Sequence, residues 1–282
     1  MGFQASGLAD AVRVIGKAKK EKCTIFLAFT ANLVASGLRG VIAELCERGF
    51  VDAVITTAGS IDHDVIKASG EYELGVFGAD DEQLHRDGIN RLGNIFIRTS
   101  HFERFEKEIR KVLASAYKEK KVLSPRELNA KIGASLKDGH SFLAQCSRKN
   151  IPVFCPGIVD GAIGLQSYFF RQDNKDFGID VTADMQELAD LVIGSRKTAA
   201  IILGGGIAKH FTIGSNLLRD GMDYAAYFTT AQEYDGSLSG AFPKEAKSWG
   251  KIRENAKTAV VYGDATINFS LAMAALKEKG LL

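Results

Sequence analysis

The chain has 282 residues, 46% hydrophobic and 25% charged, which is ordinary globular usage. Its 36 lysines and arginines against 34 acidic residues leave a net charge of +2, too little to mark a nucleic-acid or anionic-membrane surface. No apolar run approaches the roughly 20 residues of a membrane span, and the four cysteines show no CxxC spacing, so a cytoplasmic protein without leader, disulfide or metal is expected.

The start, MGFQAS, fits an acylation pattern, with Gly after Met and Ser at the sixth position, but no basic cluster or second lipid signal accompanies it. CTIFLAFT (23–30) reads as a buried strand, followed by a helical run over 31–49. VDAVITTAG (51–59) is the next strand, and NIFIRTS (94–100) is read as a third. Residues 101–150 open with HFERFEKEIRKVLASAYKEKK, apolar at three- and four-residue intervals, and continue with SPRE (124–127), where Ser124, Pro125 and Glu127 make a capping box. This stretch reads as a helical insertion. IPVFCPG (151–157), TAAIILGG (198–205), YAAYFTT (224–230) and TAVVYGDAT (258–266) repeat the strand form. Runs apolar on both faces, alternating with helices, predict an α/β fold of Rossmann-like type: a mostly parallel sheet with helices on both faces. Without a Pro/Ser-rich linker, internal repeat or low-complexity tract, 1–282 is read as a single domain.

A parallel sheet sends its strands' carboxyl ends, and the loops leaving them, to one edge, where chemistry is expected. TTAGSIDHD (56–64) sets Thr57, Ala58 and Gly59 where a ligand can approach backbone amides, with Asp62 behind; a helix capped by Asp62 is the alternative. PGIVDGAIG (156–164) repeats the pattern with Asp160, although Asp-Gly is also ordinary turn chemistry. IILGGGIAKH (201–210) puts three glycines between strand and helix, suited to a phosphate or sugar, yet it matches neither GxGxxG nor a P-loop. His210 follows one helical turn later. TTAQEYDGSLSGAFPKEAKSWGK (229–251) is longer than most structureless loops and ends at Lys251 beside the only tryptophan, Trp249. A lysine does covalent work as a neutral amine, which an apolar, aromatic wall favours; a solvated lysine and a core tryptophan are the plain alternative. Asp264 closes the last strand, where a carboxylate can accept from ribose hydroxyls.

The runs GFQAS, TTAGSIDHD, IPVFCPGIVDGAIG, IILGGGIAKH, DYAAYFTTAQEYDGSLSGAFPKEAKSWGKIR and VYGDA, in this order and spacing, resemble deoxyhypusine synthase over nearly the whole chain. The resemblance is most specific from 198 to 266, and the family GFQA segment offers another reason for the chain's start. It implies a Rossmann-like NAD-binding fold assembled as a homotetramer with active sites at subunit interfaces. It also implies NAD-dependent transfer of the aminobutyl group of spermidine, a polyamine, through an enzyme lysine imine to one lysine of a translation initiation factor. Matched residue by residue, Lys251 is the imine-forming lysine and His210 a base beside the substrate. Trp249 walls the alkyl chain, and Glu245 faces an amine. Thr57, Ala58, Gly59, Asp62, Asp160, Gly204, Gly205, Thr230, Asp235, Ser239 and Asp264 match the NAD site.

The chain departs from the family pattern at several of these places. Leu165 and Leu238 stand where two family acids hold the polyamine, Ala31 and Ala35 replace serines that line the cofactor, and His63 replaces a glutamate. A carboxylate on a buried ammonium contributes on the order of 1.5–3 kcal/mol, so the two leucines favour a less charged ligand. Two alternatives therefore stay open. One keeps the imine chemistry with a different amine donor or acceptor, as in homospermidine-forming relatives; the other is a non-catalytic NAD-binding homologue.

Overall fold

The computed structural model describes residues 2–282; Met1, first residue of the acylation-like start, lies outside them. Six strands form the main sheet: β1 (Thr24–Phe29), β2 (Ala53–Thr56), β3 (Val153–Phe154), β4 (Thr198–Leu203), β5 (Met222–Thr229) and β6 (Ile252–Tyr262). Their order is β6-β5-β4-β1-β2-β3, and every pairing is parallel. This is the doubly wound order, which reverses direction between β1 and β4 and leaves a crevice at their carboxyl ends.

The strands are apolar on both faces because both faces are covered. Along β5, Tyr224, Ala226 and Phe228 join one core while Ala225 and Tyr227 join the other, the two-residue alternation of a strand. The helices Gln4–Lys20 and Ala265–Glu278 pack on the first face; Asp184–Gly194, Gly206–Ser215 and Pro243–Ser248 cover the second.

Between β2 and β3 lies the helical insertion: Thr99–Glu119, Pro125–Ser135 and Phe142–Lys149. The first buries His101, Phe105, Ile109 and Leu113 at four-residue spacing, and the second starts on the Ser124–Glu127 capping box. A buried ion pair ties the insertion to the sheet helices. Asp64 accepts from Arg39 Nε (2.5 Å), Ser141 Oγ (2.6 Å) and the Leu143 amide (3.0 Å), so it serves packing and is held away from the crevice.

Two expectations need correction. Ile95–Arg98 is not part of the parallel sheet; it pairs antiparallel with Glu73–Leu74 and Ile89–Leu92 in a separate three-stranded sheet. Leu92 pairs with Ile95 across Gly93-Asn94, and Gly93 has φ of 62°, so a two-residue hairpin joins those strands. The stretch 229–251 is also not a bare loop, for it holds a 3₁₀ turn at Glu233–Asp235 and the helix Pro243–Ser248 started by its proline.

Candidate functional site

At the crevice, β1 gives way to Thr30 and the short helix Ala31–Leu33, which runs into a π turn, Val34–Leu38, broken at Gly37 (φ 121°). Such turns recur at functional sites. β4 gives way to Gly204 (φ 86°), Gly205 and Gly206 (φ 61°). A Cβ at Gly204 would lie 3.2 Å from the Thr30 hydroxyl, and one at Gly205 would overlap Ser239 at 2.5 Å, so close approach explains the glycines. The Gly206 amide donates to Ser239 Oγ (3.0 Å). These elements enclose a cavity of about 250 Å³ lined by Thr30, Gly204, Gly205, Thr230, Ser239 and Asp264, among others. Asp264 caps the helix Ala265–Glu278, accepting from the Thr266 amide (2.8 Å) and hydroxyl (2.7 Å). Bare glycine backbone at a helix start, with hydroxyls and a carboxylate around it, suits a phosphorylated or ribosyl ligand.

A second cavity, about 270 Å³, sits on the sheet face between the helices Gly206–Ser215 and Pro243–Ser248. His210, Leu238, Glu245, Trp249 and Lys251 line it together. Lys251 Nζ lies 3.3 Å from His210 Nε2 and 5.4 Å from the centre of the Trp249 ring. A lysine and an imidazole at that distance can exchange a proton, and a neutral amine so formed is a nucleophile. Trp249 is 66% exposed, so in a single chain the wall is open on one side.

The placement of Lys251 corrects the expectation of a shared sheet edge. It immediately precedes β6, and its carbonyl accepts from the amide of Met222 (3.1 Å), the first residue of β5. The lysine's backbone therefore lies at the strands' amino end, while its Nζ reaches back to His210 on the helix that starts at the crevice. The chain between β5 and β6 leaves the carboxyl edge and recrosses the face, since a parallel partner must be re-entered at its start.

Two polar lining residues, Lys209 and Tyr227, were not singled out from the sequence. Lys209 is 1% exposed and donates to the carbonyls of Leu238 (2.8 Å), Ser239 (3.2 Å) and Ala241 (2.6 Å), with its Nζ 4.6 Å from the Tyr227 ring centre. Burial pulls its pKa down to about 8 against the opposing pull of Glu245. Tyr227 is buried, its hydroxyl has no partner among the described residues, and burial pushes its pKa up. The KH pair in IILGGGIAKH was the available signal for Lys209; a strand tyrosine carries none.

The remaining predicted residues fall elsewhere. Thr57 stands before the helix Ala58–Lys67; Ala58 is buried, and Gly59 is so close to Ala31 that a Cβ would lie 2.9 Å from its methyl. Asp62 is buried and accepts from the amides of Ala162 (2.8 Å) and Ile163 (3.0 Å), capping the helix Ala162–Asp173 across space rather than its own; burial raises its pKa to about 6 despite those bonds. Asp160 is exposed. Asp235, also exposed, accepts from the Ser237 amide (2.7 Å), and the Ser237 contacts lower its pKa. None of these lines the crevice cavity. Leu165, 51% exposed, lies outside the second cavity, whereas Leu238 lines it. His63 meets Tyr72 (Nδ1 to hydroxyl, 2.7 Å), and burial lowers its pKa to about 4. Among the described residues no cluster of His, Cys, Asp and Glu fits a metal ion, and no helix is long and apolar enough to cross a membrane.

A sequence profile of deoxyhypusine synthase matches residues 1–276. The chain belongs to the deoxyhypusine synthase family. The "probable deoxyhypusine synthase" of Ignicoccus hospitalis is 42% identical over 99% of this chain and 88% of its own length. A crystal structure from Entamoeba histolytica assigned to deoxyhypusine synthase superposes with a TM-score of 0.74 at 24% identity, covering 97% of this chain and 88% of that one. A ternary complex of AgrE with ornithine and NAD+ shares the fold alone, with a TM-score of 0.58 at 14% identity over 98% of this chain and 33% of that one. As a deoxyhypusine synthase family member the chain is a transferase, and spermidine-dependent aminobutyl transfer onto a translation initiation factor is the reaction class it belongs to.

Proposed function

We propose that this transferase uses NAD and carries the aminobutyl group on Lys251. The observation that carries the reading is the Lys251–His210 pair, 3.3 Å apart, beside Trp249 in a cavity that adjoins the switch-point crevice through residues 238–241. The crevice fits a dinucleotide's sugar–phosphate part: Gly204 and Gly205 leave room where a Cβ would collide, and Thr30, Thr230, Ser239 and Asp264 surround it. NAD held there by these residues would supply reversible hydride acceptance, so that the transfer has no net redox change. Thr57, Ala58, Gly59, Asp62, Asp160 and Asp235 would then serve the same cofactor beyond this cavity, Asp62 by fixing the helix start it caps.

The chain's own groups do the rest. His210 takes a proton from the donor's amine or from the Lys251 ammonium. Neutral Lys251 attacks the oxidised carbon, forming a carbon–nitrogen double bond to the enzyme and releasing the remainder of the donor as an amine. The acceptor lysine then displaces Lys251 in the same way. Trp249 keeps the alkyl chain from water, and Glu245 offers a carboxylate to its far amine.

A second reading keeps this chemistry and changes the amine, because Leu238 lines the cavity where the family has an acid. Both readings place the enzyme in the cytoplasm as one NAD-binding domain that assembles as a homotetramer, with a neighbouring subunit closing the open side of Trp249.

Borohydride trapping after incubation with NAD and a panel of polyamines tests the reading. A mass gain on Lys251 is expected, largest with spermidine, and absent from Lys251→Ala. A gain with another amine alone favours the second reading. Undiminished trapping in Lys251→Ala removes the imine role, and bound NAD with no gain for any amine leaves a non-catalytic homologue.

A further inference from the structure

The stretch Leu238–Ala241 faces two ways. Ser239 lines the crevice, packs against Gly205 and accepts from the Gly206 amide (3.0 Å). Its neighbours Leu238 and Ala241 line the cavity that holds Lys251. Gly240, between them, is buried so tightly that a Cβ would fall 1.9 Å from the Gln232 carbonyl. The two cavities therefore share this short stretch as a common wall.

Lys209 is what holds this stretch. An ammonium has three protons, and the carbonyls of Leu238, Ser239 and Ala241 supply three acceptors. Because the side chain is 1% exposed and its donors are matched, it has none left for a ligand. A buried lysine is costly unless its charge and donors are met, and a methionine would fill the same space without that cost. What the lysine adds is a fixed position for an irregular backbone whose carbonyls need donors.

We infer that Lys209 is a positioning residue that couples the crevice to the amine cavity, so that a ligand in either one favours the arrangement of residues 238–241 that the other ligand needs. This rests on the proposed NAD and amine sites. Linkage requires the effect to be reciprocal: the amine tightens the dinucleotide by the same factor that the dinucleotide tightens the amine. With Lys209 removed, each cavity keeps its own walls, and the mutual effect is lost.

The test uses NADH, which fluoresces and cannot accept hydride, titrated with and without a saturating amine. The amine is spermidine, or whichever of the panel traps on Lys251. In the parent, the amine is expected to tighten NADH at least about five-fold, the lower end of ordinary coupling. In Lys209→Met this factor falls to within two-fold of unity while NADH alone still binds, and Lys209→Arg, which keeps the donors, recovers part of it. A merely structural lysine would alter both affinities and leave their ratio intact. Should Lys209→Met fail to fold, Ser239→Ala cuts the same path at its other end and is expected to lower the factor. A factor of one in the parent, or an undiminished factor in Lys209→Met or, in its place, Ser239→Ala, overturns the inference. A parent that binds no NADH removes the proposed cofactor site first, before any variant is made.

Discussion

The Tyr227 hydroxyl, on β5 beneath Lys209, is buried at the wall of the amine cavity and has no hydrogen-bond partner among the described residues. An unmet buried hydroxyl costs about 1–3 kcal/mol, whereas a neutral hydrogen bond to a ligand returns about 0.5–1.5 kcal/mol. A ligand nitrogen or oxygen in the cavity would be such a partner. Tyr227→Phe is therefore expected to melt no lower than the parent, while KM for the amine rises roughly two- to ten-fold. Thermal melts beside steady-state kinetics read both; a lower melting temperature with unchanged KM would assign the hydroxyl to the fold. At this scale the sequence was readable where residues sit in motifs: Lys251, His210, Trp249, Glu245 and Leu238 were named from it and share one cavity. Lys209 and Tyr227 were not, because their setting is made by chain far away. The carbonyls that surround Lys209 lie 29 to 32 positions on, and no local pattern announces them.

Strands were easier to read than their partners. The apolar runs at 23–30, 151–157, 198–205 and 224–230 all lie in the parallel sheet, because burial on both faces demands continuous apolarity. The run at 94–100 is equally apolar in part, but Gly93-Asn94 turns it back on Ile89–Leu92. Helix starts show a similar limit. Ser124 caps its own helix through neighbouring residues and was legible, while Asp62 caps Ala162–Asp173 from 100 positions away. That remote cap has a pH signature. Burial raises the Asp62 carboxyl to about 6, above its ordinary value, so the folded chain holds the proton more tightly than the unfolded one. Its contribution to stability is full below about pH 4 and is lost as pH rises through 6, on the order of 3 kcal/mol in all. Asp62→Asn cannot titrate, so the stability of the parent relative to this variant should decline between pH 4 and 7. Denaturant unfolding across that range measures it, and a flat difference would mean that the two amide bonds outweigh burial.

On the whole molecule, apolar side chains left uncovered point to assembly. Val159, just ahead of the helix Ala162–Asp173, is 75% exposed, and Tyr168, exposed to 58% within it, is joined by exposed Leu165 and Phe169. Val159 packs against this helix, since a Cβ at Gly164 would lie 2.5 Å from its backbone; Leu165, Tyr168 and Phe169 follow at three- and four-residue spacing, which puts them on one side of the helix, and the two rings are 5.5 Å apart. Monomers seldom leave a contiguous patch of this kind in water. A symmetric oligomer would bury it against the same patch or another on a second copy. Leu165 lies outside its own chain's amine cavity and Trp249 is 66% exposed, so a neighbouring copy that completes the site would account for both. In sedimentation at micromolar concentration the parent should run at about four chain masses. Val159→Glu with Tyr168→Glu, which puts charge into the buried contact, should shift it to smaller species, because an unpaired charge there is costly to desolvate. If the neighbour completes the amine site, the dissociated variant still binds NADH, yet its Lys251 trapping with NAD and amine falls more than about ten-fold. Full trapping in a dissociated variant, or in a parent that sediments as a single chain, would make each chain a complete enzyme and leave the apolar surface without a catalytic purpose.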